Sequence, residues 1–109
     1  MASLWDMRAA SLEVTRLVRG REYAEFERET ILRYALERLL ITVGEAARRI
    51  SPEVRARHPE IPWRRIVGLR NILIHQYDVV ISEQLWRVVT QQVPELLRLL
   101  DPLVTTPRA

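Results

Sequence analysis

The chain of 109 residues has no cysteine, no lysine and only three glycines. Without cysteine there is no disulfide scaffold, no thiolate zinc site and no iron–sulfur cluster. Gly20, Gly44 and Gly68 stand far apart, so no glycine-rich phosphate loop exists. No apolar run of about 18 residues occurs. The first six residues also lack the basic-then-apolar layout of a signal peptide. These absences point to a soluble, cytoplasmic protein with no membrane partner. Only His58 and His75 are histidines, with no third ligand at suitable spacing, so neither a metal nor a cofactor is expected. No serine lies in a nucleophile-elbow context. The length suits a single domain over residues 1–109, with a core from about residue 4 to residue 103 and a tail at 104–109.

What is present is arginine. All 17 basic residues are arginine, against 14 acids, for a net charge of +3. The positive charge is concentrated between Arg48 and Arg70, where Arg48, Arg49, Arg55, Arg57, Arg64, Arg65 and Arg70 face only Glu53 and Glu60. A guanidinium is a planar fork of donors matched to phosphate oxygens. Such a cluster fits either a solvated face or a surface for a polyanion.

Helical periodicity runs through the whole chain, and no alternating stretch is long enough for a sheet. A first helix is predicted from about Leu4 to Arg19, closed by Gly20 in the left-handed conformation. A second, long helix is expected over Tyr23–Ile50, carrying Leu32, Leu36, Leu39, Val43 and Ala46/Ala47 on one stripe. Its second apolar stripe, Ile31, Ala35 and Thr42, predicts cover on more than one side. Ser51-Pro52-Glu53 reads as an N-cap, a first-turn proline and a favourable acid, opening a short turn of helix to about Arg57. Pro62 opens a third helix to about Gln76. Gly68 within it costs about 1 kcal/mol relative to alanine, which predicts the close approach of another backbone. The last helix begins at Ser82 with Leu85, Val89, Val93, Leu96, Leu100 and Leu103 on its stripe, and Pro94 should kink or break it. The fold class is all-α, a compact antiparallel bundle of four to five helices.

Chemistry gathers in one polar stretch, Arg70-Asn71-Ile72-Leu73-Ile74-His75-Gln76-Tyr77-Asp78. Asn71 and His75 are four apart and adjacent on one face. Arg70 and His75 leave the axis about 140° apart with a rise of about 7.5 Å. A second copy of the helix across a two-fold axis brings two arginines and two histidines around one groove more easily than one copy does. Each residue also has a purely structural explanation. His75 fits a hydrogen-bonded core histidine, Arg70 an ion pair with Glu45 or Glu37, and Tyr77 a rim aromatic.

Arg70-Asn71-x-x-x-His75-x-Tyr77 resembles the Arg-x4-His-x-Tyr signature of the HEPN superfamily, specifically its HepT-like toxins encoded beside a minimal nucleotidyltransferase. Gly44-Glu45-Ala46-Ala47, Ile61-Pro62-Trp63, Gly68-Leu69-Arg70-Asn71 and Trp86 resemble the same family in the same order, covering about residues 4–103. Ile81 departs from it, since relatives often carry an acid there.

The resemblance implies a metal-independent endoribonuclease, active as a homodimer or higher assembly with the motifs facing each other. Arg70, Asn71 and His75 would be its catalytic residues. Histidine exchanges protons near neutrality, so two copies of His75 would divide the roles of base and acid. Arg70 would hold the scissile phosphate, and Asn71 would orient the imidazole or bind a phosphate oxygen. Arg48, Arg49, Arg64 and Arg65 would add salt-dependent affinity for the RNA substrate. Tyr77 would be the site at which a nucleotidyltransferase antitoxin attaches AMP and silences the toxin. A non-catalytic helical dimer that serves as binding partner or substrate of the nucleotidyltransferase is the competing reading. RNA turnover separates the two.

Overall fold

The computed structural model describes residues 2–76 and 80–104. Among them the regular structure is entirely helical. Helix α1 spans Ala2–Val18. It ends where Gly20 adopts φ +75 and the Arg21 N–H donates to the Val18 carbonyl at 3.0 Å, the left-handed stop that only glycine adopts at little cost.

The predicted long helix over Tyr23–Ile50 is two helices, α2 (Tyr23–Arg28) and α3 (Thr30–Arg48). Glu29 leaves helical geometry between them at φ −100, ψ 90. The reason lies in what each piece must bury. Phe26, 1% exposed, stacks on Trp86 at 5.0 Å between centroids, whereas Leu32, Leu36 and Leu40 face the centre of the bundle. In one unbroken helix Phe26 and Leu32 would point about 120° apart. The break lets both be buried, and Arg21 holds it by pairing with Glu29 at 2.6 Å.

Helix α4 (Pro52–Arg57) is capped as expected, Ser51 Oγ accepting from the Val54 N–H at 3.3 Å. Helix α5 covers Trp63–His75, with Pro62 and Gln76 as its flanking caps. Helices α6 (Ser82–Arg87) and α7 (Val93–Leu100) form one rod, joined by a π-helical turn over Val88–Gln92. Pro94 does interrupt the helix, one turn upstream of itself. Its ring would collide with the carbonyl four residues back, and the turn before it widens instead, the Val93 N–H reaching five residues back to the Val88 carbonyl.

Helix α1 packs antiparallel against both α3 and α7, and α5 packs antiparallel on the far side of α3. Leu85, Val89, Val93, Leu96 and Leu100 are all buried, as their spacing requires. The core also reaches Val104, 4% exposed, one residue beyond the expected boundary, while 105–109 lie outside the described residues. Helix α3 is thus covered on more than one side, as its second stripe predicts; along that stripe Ala35 and Thr42 are half-buried, and only Ile31, 83% exposed, is left open. Among the described residues no helix is long and apolar enough to cross a membrane.

Candidate active site

The arginine-rich segment is used in two different ways. Arg55 is structural. Its Nη2 donates to the Ala47 carbonyl at 2.8 Å, satisfying the end of α3, while its Cζ stands 6.0 Å from the Trp63 ring centroid. Trp63 in turn donates from Nε1 to the His58 carbonyl at 3.0 Å. These contacts close the α3–α4–α5 corner and set the start of α5. Arg48 and Arg49 are exposed and loosely paired, with Glu45 and Asp6 respectively, both at 3.8 Å. Arg64 and Arg65 are exposed and make no hydrogen bond or ion pair among the described residues. All four lie at the end of the α3–α5 hairpin opposite His75.

Along α5 the next fixed point is Gly44 of α3. A Cβ there would stand 3.3 Å from the Ile66 carbonyl and 2.8 Å from Arg70 Cγ, so the stem of Arg70 lies across a bare helix backbone. From that seat the Arg70 guanidinium is held on two sides. Nη2 donates to Glu45 Oε1 at 3.2 Å and Nη1 to Asn71 Oδ1 at 2.8 Å, with the side chain 15% exposed. The ion-pair partner is Glu45 and not Glu37, which pairs with Arg33 at 2.8 Å. Since Glu45 also faces Arg48, one carboxylate serves two guanidinium groups and leaves the patch net positive.

Asn71 is exposed and spends its carbonyl oxygen on Arg70, which turns its amide N–H2 outward as a donor. It makes no hydrogen bond to His75 among the described residues, so the orienting role for Asn71 is not seen; the role of phosphate donor stays open to it. His75 is the last residue of α5, exposed and without a hydrogen bond or ion pair among the described residues. It is not a core histidine. Tyr77 and Asp78 lie outside the described residues.

Two features went unnoticed in the sequence. Arg33 of α3 donates to the Val80 carbonyl at 2.9 Å and to Ser82 Oγ, besides pairing with Glu37. It thereby fastens the chain that follows the motif to α3. The second is a cleft of about 440 Å³ between α5 and the α6–α7 rod, with Leu69 and Ile72 on one wall and Val80, Leu85 and Val88 on the other. Gly68 lies on its lip, and a Cβ there would meet nothing within 4 Å. Among the described residues no backbone makes the approach expected at Gly68.

A half-buried guanidinium on a carboxylate anchor, an exposed amide and an exposed imidazole on one helix suit the binding of a phosphate and the transfer of a proton. Comparison with known proteins agrees. The family profile described as Ribonuclease HepT-like matches residues 7–103. A protein of Methanocaldococcus jannaschii named as an RNase is 38% identical over 95 residues, 87% of each chain. Another so named, from Caldanaerobacter subterraneus, is 34% identical over 79 residues, 72% of this chain and 70% of its own. A protein of Thermococcus cleftensis named as ribonuclease HepT is 40% identical over 63 residues, 58% of this chain and 57% of its own. No solved structure matches the chain.

Proposed function

Because this chain belongs to the HepT-like ribonuclease family, we propose that it is a metal-independent endoribonuclease toxin, active as a homodimer and silenced by a nucleotidyltransferase antitoxin. The observation that carries this reading is the seat of Arg70: held by Glu45 and Asn71, its guanidinium is fixed near the surface on the same helix as the exposed imidazole of His75.

In the proposed reaction Arg70 and the Asn71 amide bind the scissile phosphate. His75 takes the proton of the ribose 2′-hydroxyl, and that oxygen attacks the adjacent phosphorus. The bond from phosphorus to the 5′-oxygen breaks, and the protonated His75 of a second copy gives its proton to the departing oxygen. Products are a 2′,3′-cyclic phosphate and a 5′-hydroxyl. Within one protomer Arg70 and His75 diverge by about 140° around the helix, so a site completed by a second copy fits their placement. Acid and base acting together make the rate bell-shaped in pH. Arg48, Arg49, Arg64 and Arg65 add affinity that weakens as salt rises.

Silencing falls to Tyr77. Its phenolic oxygen attacks the α-phosphorus of ATP, pyrophosphate leaves, and AMP remains two residues from His75. The added phosphate then competes for Arg70.

The test is RNA cleavage by the purified chain in EDTA. Arg70→Ala and His75→Ala each lower the rate at least a hundredfold with the helical circular dichroism unchanged. Cleavage that persists in both variants sinks the assignment. Incubation with the nucleotidyltransferase and ATP adds AMP mass to the wild type and none to Tyr77→Phe; equal labelling of both removes Tyr77 from the scheme.

A further inference from the structure

Arg64, Gly68, Asn71 and His75 leave α5 within about 60° of one another, spread over about 16 Å of its length. Their face is open: Arg64, Asn71 and His75 are exposed, and Gly68 has empty space where its side chain would be. The face carries no carboxylate, and Arg64 is unpaired among the described residues. Elsewhere on the hairpin the guanidinium groups of Arg55 and Arg70 are occupied by protein acceptors. Glycine weakens a helix relative to alanine, and at Gly44 the close packing of Arg70 compensates. At Gly68 nothing among the described residues does.

We propose that this face is the path of the RNA strand away from the cut: Arg64 binds a phosphate several nucleotides from the scissile one, and Gly68 lets the intervening sugar–phosphate backbone lie against the helix. The inference rests on the ribonuclease reading and adds a distal subsite to it. At the Arg64 end of the face charge favours a polyanion over a second copy, which would bring Arg64 to Arg64, while the second copy of the proposed dimer is met at the His75 end. At about 3.4 Å per stacked nucleotide, the span from His75 to Arg64 covers up to about five nucleotides. A dinucleotide therefore reaches only the His75 end, whereas a decanucleotide reaches both.

The test uses DNA oligonucleotides with one ribonucleotide, so that the single 2′-hydroxyl fixes the position of the cut. The wild type is expected to cleave the decanucleotide with at least tenfold higher kcat/KM than the dinucleotide. Arg64→Ala and Gly68→Leu each remove most of that advantage, lowering kcat/KM several-fold more on the long substrate than on the short one. Arg64→Ala also makes the salt dependence shallower by roughly one phosphate contact. Equal losses on both substrates overturn the proposal, as does no loss on either. A change of sedimentation mass in Gly68→Leu also overturns it, because the face is then a contact between copies. If the wild type cuts neither substrate the ribonuclease reading fails, and fluorescence anisotropy of the labelled decanucleotide decides the subsite. Weaker binding by both variants supports it, and unchanged binding overturns it.

Discussion

Gly44 lies directly beneath Arg70: a Cβ at position 44 would stand 2.8 Å from Arg70 Cγ and closer still to its Cβ. One hydrogen atom on α3 thus sets both how near α5 comes and where its guanidinium sits. Gly44→Ala is expected to cost about 1–3 kcal/mol in urea unfolding, the range for overpacking a tight contact, and to reduce RNA cleavage by displacing Arg70. Gly68→Ala moves stability the other way, upward by up to about 1 kcal/mol, since the added methyl meets open space. Equal effects at the two glycines would contradict this account of α5.

Glu45 holds Arg70 at 3.2 Å but is itself 37% exposed. Glu45→Gln should therefore change stability by less than about 1 kcal/mol. Its effect belongs in the kinetics, as a kcat about tenfold lower, with RNA bound as tightly as before or more so because a negative charge has gone. A rise in KM with kcat unchanged would mean that Glu45 does not position Arg70.

Arg33 contacts Glu37, the Val80 carbonyl and Ser82 Oγ from one side chain that is 23% exposed. Arg33→Met keeps the apolar stem and loses these bonds, which predicts a loss of about 2 kcal/mol. Amide exchange over residues 82–87 should quicken more than exchange in α1. Arg33→Lys does not restore the wild-type value, because an ammonium lacks the fork that reaches three acceptors.

Ser11 is fully buried in α1, and its hydroxyl has no hydrogen-bond partner among the described residues. Removing an unpaired buried oxygen while keeping the Cβ should be favourable. Ser11→Ala is expected to raise stability by about 1 kcal/mol in the same urea assay. A loss of that size would show that the hydroxyl is satisfied.

Most of the helical frame was legible because it follows from spacing alone. The residues from Leu85 to Leu100 that share a stripe are buried, and the glycine and proline punctuation stops or opens helices where local geometry demands it. The break at Glu29 was not legible. Glutamate is a good helix former, and the pressure comes from Phe26 stacking on a tryptophan 60 residues away in sequence. The widened turn before Pro94, in place of a simple kink, was not legible either, because the spacing of apolar residues is the same for both ways of clearing the proline ring.

The site was legible as residue types and only partly as geometry. Pattern supplied the candidates Arg70, Asn71 and His75, and it offered Glu45 and Glu37 as equal partners for Arg70. Only the packing of α5 on Gly44 decides between those two acids. The anchoring role of Arg33 was not legible, because its acceptors at Val80 and Ser82 are backbone and hydroxyl oxygens that no charge pattern reveals. Charge pattern likewise does not set Arg55 apart from its arginine neighbours, because its acceptor is the Ala47 carbonyl.

The grip of Arg33 on residues 80 and 82 also fixes how this junction responds to its surroundings. Acetylation of lysine, a common way for cells to erase a positive charge, has no side chain to act on in a sequence without lysine. The attachment of α6 to α3 is thus proof against a chemical signal that releases comparable lysine-held joints.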